Sequence, residues 1–100
     1  MREINTAMLE SIQSPTLLLD PQRTRANMNR MISKAKEGGV QLRPHFKTHQ
    51  SLQIGQWFRE AGINKITVSS VGMAGYFAKD GWTDITIAFP VNIREMDTLH

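Results

Sequence analysis

Four short apolar runs, each followed by a stretch with helical spacing, constrain this chain more than any other feature. The runs are Thr16–Asp20, Val40–Arg43, Lys65–Ser69 and Asp84–Phe89. Their starts lie roughly two dozen residues apart, which suits one strand, one helix and two short loops. Repeating strand–helix units imply a parallel sheet with right-handed crossovers.

The first helix has the fullest set of signals. Asp20 is placed to cap it, with Pro21 at the first helical position, where a missing N–H does no harm. Met28, Met31, Ile32 and Ala35 recur on one face, and Gly38-Gly39 ends the run. A second helix is expected from about Ser51, with Ile54, Trp57, Phe58 and Ala61 as its apolar side and Gly62 as the stop. A third is expected over Met73 to Lys79, with Ala74, Phe77 and Ala78 apolar and Gly81 after it. A fourth begins at Asn92 and runs to the last residue, and a weak helical stretch spans Ala7 to Ile12 ahead of the Ser14-Pro15 break.

Two architectures accommodate such units, an open doubly wound sheet and a (β/α)8 barrel. Barrel strands turn one face to the helices and the other to the interior, so polar residues alternate with apolar ones. That pattern is present: Val40 and Leu42 oppose Gln41 and Arg43, Ile66 and Val68 oppose Thr67 and Ser69, and Ile85 and Ile87 oppose Thr86 and Ala88. A sheet buried on both faces reads as more continuously apolar. The expectation is therefore an α/β chain forming the N-terminal half of a (β/α)8 TIM-type barrel. Residues 1–14 form a leader and residues 15–100 the first strand–helix units. A whole barrel needs about 250 residues, so the chain reads as part of a longer protein. A four-stranded α/β domain complete at this length is the alternative.

Composition narrows the function classes. The 100 residues contain no cysteine, which excludes a disulfide scaffold, an iron–sulfur site and a cysteine-ligated zinc finger. No apolar run is long enough to span a membrane, and MREINTAMLESIQ lacks the continuous apolar stretch of a signal peptide, so a cytoplasmic address is expected. The net charge of +3 comes from scattered residues without interleaved aromatics, which predicts no nucleic-acid partner.

The chemistry concentrates in Arg43-Pro-His-Phe-Lys-Thr-His49-Gln50, just past the second predicted strand, where barrel enzymes keep their active sites. Strand parity puts Arg43, His45 and Lys47 on the inward face. A lysine in a barrel mouth is costly unless paired or used covalently. One covalent use is a Schiff base with an aldehyde, favoured where neighbouring cations raise the neutral fraction of the amine. Pyridoxal phosphate is the aldehyde cofactor that fits. The plainer reading is a solvated lysine flanked by histidines bonded to loop backbone. The spacing of His45 and His49 would also suit a metal if the segment were helical, but Pro44 and the strand context oppose a helix, and no metal ligands are assigned.

Ser14-Pro-Thr-Leu-Leu-Leu-Asp20, Asn27, Arg43-Pro-His-Phe-Lys-Thr-His49, Ile66-Thr-Val-Ser-Ser-Val-Gly72 and Ile85-Thr-Ile-Ala-Phe-Pro-Val91, in this order, resemble one family. It is the D-threonine aldolase and D-serine dehydratase group, related to alanine racemase (fold type III pyridoxal-phosphate enzymes). The resemblance implies that Lys47 forms the Schiff base with pyridoxal 5'-phosphate, with Arg43, His45 and His49 around the cofactor. It implies a small-molecule substrate, most naturally a β-hydroxy D-amino acid cleaved or dehydrated by a lyase. A racemase and a non-catalytic cofactor-binding protein are the alternatives. It further implies a C-terminal β-domain, a homodimer, and a divalent metal held by residues outside this chain. On that reading the activity belongs to the longer parent, and this portion alone is inactive. Gln50 stands where the family usually has Lys, and Gly72-Met-Ala-Gly75 where it usually has an acidic G-E-A-E-like string.

Overall fold

The structure is a computed structural model and describes residues 6–99. Residues 1–5 of the expected leader and His100 lie outside the described residues. The elements in chain order are α1 (Thr6–Glu10), α2 (Pro21–Glu37), a 3-10 turn (Phe46–Thr48), α3 (Leu52–Glu60), β1 (Lys65–Val68), α4 (Val71–Lys79), β2 (Asp84–Ile87) and a second 3-10 segment (Ile93–Leu99).

Each long helix begins on a capping side chain. The Asp20 carboxylate accepts from the Gln22 and Arg23 amides at 3.0 and 3.2 Å, with Pro21 at the start of α2. Ser51 accepts from Ile54 N–H at 3.2 Å, and Ser70 from Met73 N–H at 3.1 Å. After α3 and α4 the chain turns at Gly62 and Gly81, both at positive φ, which only glycine adopts without strain. The third helix thus begins two residues earlier than its apolar spacing predicts, because Ser70 caps it, and Gly72 lies inside its first turn. On α2, Met28 and Ile32 are buried as expected, whereas Met31 is half exposed.

β1 and β2 pair in parallel, with Ile66 opposite Ile85 and Val68 opposite Ile87. Alternation holds on β1: Ile66 and Val68 are fully buried, and Lys65 and Thr67 are not. The core joins Ile66 and Val68 to Ile32, Phe46, Ile63, Phe77 and Trp82.

The expected four-stranded arrangement is corrected in two places. Val40–Arg43 forms no strand; the segment touches the sheet through a single bridge, His45 to Thr67, with Thr67 N–H donating to the Pro44 carbonyl at 2.9 Å. Thr16–Asp20 forms no strand among the described residues, and Leu17 is 84% exposed. A strand exists only through its ladder, and neither segment has one. The predicted fourth helix is also replaced, by the 3-10 segment, where the Asn92 side chain accepts from Arg94 N–H at 3.1 Å. The described residues therefore form an α/β fold with a two-stranded parallel sheet and one bridged neighbour, and the expected half barrel is not seen among them.

Phe46 is the core residue with the most to lose. It is fully buried, and its ring lies 4.9 Å from Phe77 and 5.3 Å from Trp82, centre to centre. Phe46→Ala is expected to cost about 3–5 kcal/mol of stability, read as a fall in the urea midpoint of the intact protein; a loss under about 1 kcal/mol would show that the aromatic cluster does not hold this turn.

Candidate functional site

The segment Arg43–Ser51 is held to the fold by the enclosed ring of Phe46 and by its own polar atoms. Pro44 cannot donate, but its carbonyl takes the Thr67 amide, which fixes the segment beside β1. His45 is extended, and its Nδ1 accepts from Lys47 N–H at 3.1 Å, capping the 3-10 turn. Gln50 N–H closes the turn onto the Phe46 carbonyl at 2.9 Å. Gln50 itself sits at φ 51°, the left-handed region, which costs an L-residue about 1–2 kcal/mol and reverses the chain into α3. His49 Nδ1 then accepts from Ser51 N–H at 2.9 Å, at the threshold of that helix.

Because β1 runs parallel to this segment and His45 pairs with Thr67, Lys47 lies beyond the carboxyl ends of the strands. Its side chain is exposed, and its ammonium makes no hydrogen bond or ion pair among the described residues. Such an amine is available for covalent attachment to an aldehyde, so the residue fits pyridoxal phosphate in that respect. A cavity of about 290 Å³ also opens at the carboxyl ends, lined by Ser69 and Ser70 after β1 and by Ile87, Phe89, Asn92 and Glu95 around and after β2. None of Arg43, His45, Lys47 or His49 lines it.

Arg43 does not gather with Lys47. Its guanidinium donates to the Ile66 carbonyl at 2.8 Å, the Asp84 carbonyl at 3.2 Å and the Asp84 carboxylate at 2.6 Å. Lys65 joins the group, 3.8 Å from Asp84 Oδ2 and donating to Gln41 Oε1 at 2.6 Å. Asp84 was missed by the sequence reading; a carboxylate opening one strand and an arginine closing an earlier inward-facing run were the signal that could have found it.

Both histidines follow the plainer of the readings the sequence allows, each accepting a backbone amide at Nδ1, so each neutral ring carries its proton on Nε2. His49 Nε2 is buried and has no hydrogen-bond partner among the described residues. Its ring packs 4.6 Å from Phe46 and stacks at 6.2 Å on Phe58. Burial holds the His49 pKa below its ordinary 6.5. No group of three His, Cys, Asp or Glu residues among the described residues could hold a metal ion. No helix among them is long and apolar enough to cross a membrane.

No family model matches the chain. It is 38% identical over 80 residues to D-threo-3-hydroxyaspartate dehydratase of Delftia sp. (strain HT23), an alignment covering 80% of this chain and 21% of that protein. It is 33% identical to D-serine dehydratase of Dictyostelium discoideum, covering 96% of this chain and 26% of that protein. The resemblance to the D-serine dehydratase group holds. The structure agrees: the solved Delftia enzyme superposes with a TM-score of 0.83 at 33% identity, over 91% of this chain and 24% of the enzyme. A metal-free form of a mutant of that dehydratase gives the same score. The chain therefore spans about a quarter of the length of these relatives or less.

His49 makes the stability of the fold pH-dependent. Its folded pKa lies below the unfolded value, so between the two the unfolded chain binds more protons and stability rises with pH. The neutral ring's contribution is whole above the unfolded value of about 6.5 and is lost as pH falls through it toward the folded value. The urea midpoint should therefore drop from about pH 7.5 to about pH 5.5. His49→Gln should flatten that slope, whatever its effect on the midpoint itself; an unchanged slope would mean that His49 is not the titrating group.

Proposed function

We propose that this chain is the N-terminal, cofactor-anchoring part of a pyridoxal-phosphate-dependent lyase that dehydrates a small β-hydroxy D-amino acid. The observation that carries the reading is the 38% and 33% identity to two dehydratases over 80% and 96% of this chain, together with the place of Lys47 beyond the carboxyl ends of parallel strands. On this reading Lys47 is the covalent anchor of the cofactor, as its Schiff-base lysine. Pyridoxal phosphate supplies an electron sink for the amino-acid α-carbon. His45 holds the Lys47 amide, and Phe46 fixes the turn in the core, so that the amine has a defined origin. Elimination of water is favoured over aldol cleavage because both named relatives are dehydratases.

The half barrel belongs to the same proposal. The chain exposes 7688 Å², against about 5,700 Å² for a folded monomer of its mass, and its radius of gyration is 16.2 Å against about 13 Å for a compact chain of this length. That surplus supports reading residues 15–100 as the N-terminal strand–helix units of a barrel whose further units, C-terminal β-domain and homodimer partner lie outside this chain. The metal-free form named for the structural neighbour supports a divalent metal in the whole protein, held outside this chain. A cytoplasmic address goes with the cysteine-free composition.

Treating the intact protein with pyridoxal phosphate, reducing it with borohydride and mapping the label by mass should place the label on Lys47, and Lys47→Ala should remove both label and turnover. Label on another lysine overturns the assignment. With D-serine or D-threo-3-hydroxyaspartate as substrate, release of ammonia and a 2-oxo acid marks the dehydratase, whereas glycine and an aldehyde from D-threonine would mark an aldolase.

A further inference from the structure

The resemblance implies a place for Arg43 near the cofactor; in the structure its guanidinium is bonded to both strands. The guanidinium reaches across two strands at once: to a β1 carbonyl 23 residues on, and to the carbonyl and carboxylate of Asp84, 41 residues on, at the start of β2. It is half-buried, and its planar fork can meet several fixed acceptors together, which a lysine ammonium at the same place cannot reproduce.

The segment that carries Arg43 needs such a fixture. Its one ladder contact is the Thr67 amide on the Pro44 carbonyl. A slip of one residue would turn every side chain of the segment to the opposite face, and one hydrogen bond resists that weakly. Phe46 fixes how deep the turn is seated, because its ring is enclosed. Arg43, three residues earlier, fixes the line along which the segment reaches Phe46. Two attachment points are needed to orient the turn between them, and Lys47 is the next residue out. Lys65 and Gln41 extend the same network to the start of the segment.

We propose that Arg43 is a positioning residue for Lys47. Held between the Ile66 carbonyl and the backbone and carboxylate of Asp84, it sets the register of residues 40–47 against β1 and β2 and so places the lysine, without touching the cofactor. The proposal rests on the reading of Lys47 as the cofactor's anchor, but the register it describes is measurable without any cofactor.

The test uses the intact protein as wild type, Arg43→Lys, Asp84→Asn and the double variant. Amide hydrogen exchange is followed at Thr67 in the absence of pyridoxal phosphate. Arg43→Lys should speed Thr67 exchange about tenfold or more, Asp84→Asn, which keeps both carbonyl acceptors, should speed it less, and the double variant should add little to Arg43→Lys. With pyridoxal phosphate added, both single variants should weaken labelling of Lys47 by borohydride and change the visible circular dichroism of the bound cofactor. Thr67 exchange at the wild-type rate in both variants overturns the clamp. A large loss of labelling in Arg43→Lys with Thr67 exchange unchanged in that variant also overturns it, since Arg43 would then contact the cofactor directly. Wild-type label on a lysine other than Lys47, with Thr67 exchange accelerated in the variants, overturns the anchor assignment while upholding the clamp.

Discussion

The enclosure of one aromatic ring organises this fold. Phe46 belongs to a three-residue turn with almost no regular structure around it, yet its side chain is fully buried and meets rings from both neighbouring helices and from the loop before β2. Gly55 makes room for it: a Cβ there would stand 3.2 Å from the Phe46 ring and 3.6 Å from Phe77. The α3 backbone thus comes close to the cluster, and the turn and helix are locked by shape rather than by hydrogen-bond pattern. Lys47, next in sequence, gains a fixed origin while its own side chain stays in solvent. A buried ring beside an exposed side chain fixes the backbone from which that side chain projects without desolvating it.

Around that anchor, polar contacts substitute for a missing ladder. Regular strand pairing between β1 and β2 covers four residues on each side, and the segment before the lysine has a single bridge. The four groups Gln41, Arg43, Lys65 and Asp84 tie the three segments together near their amino ends, while Phe46 does so near their carboxyl ends. Exposed ion pairs contribute little to stability on their own. Their importance here is directional, because a fork bonded to two carbonyls and a carboxylate permits one register and a bare charge pair permits several.

What the sequence disclosed follows from how local each signal is. Caps and stops are short-range, so Asp20, Ser51, Gly62 and Gly81 could be read and hold in the structure. Period-two alternation made Ile66 and Val68 legible as core. Val40–Arg43 and Thr16–Asp20 carry equally apolar patterns, but whether such a run becomes a strand is decided by a partner, and the pattern cannot report one. The pairing of Arg43 with Asp84 joins residues 41 apart and was invisible for the same reason. Nothing local marks Phe46 as core. Its place at the centre of the core depends on Phe58, Phe77 and Trp82 arriving from three later segments.

The histidines show how the same local chemistry can be read in two directions. A His–x–Lys–x–His string suggests ligands because imidazoles are scarce and versatile. Yet each ring here stands two residues before the backbone amide it accepts, the geometry by which Asx side chains cap turns. Accepting at Nδ1 fixes the tautomer, and for His49 the surrounding phenyl rings make protonation costly. A ring constrained in this way keeps a neutral, rigid boundary on one side of the lysine turn. Arg43 is likewise neutralised by Asp84 at the other end of the segment. Lys47 therefore projects from a turn whose neighbouring imidazoles and arginine are already engaged by the fold, while its own side chain stays in solvent.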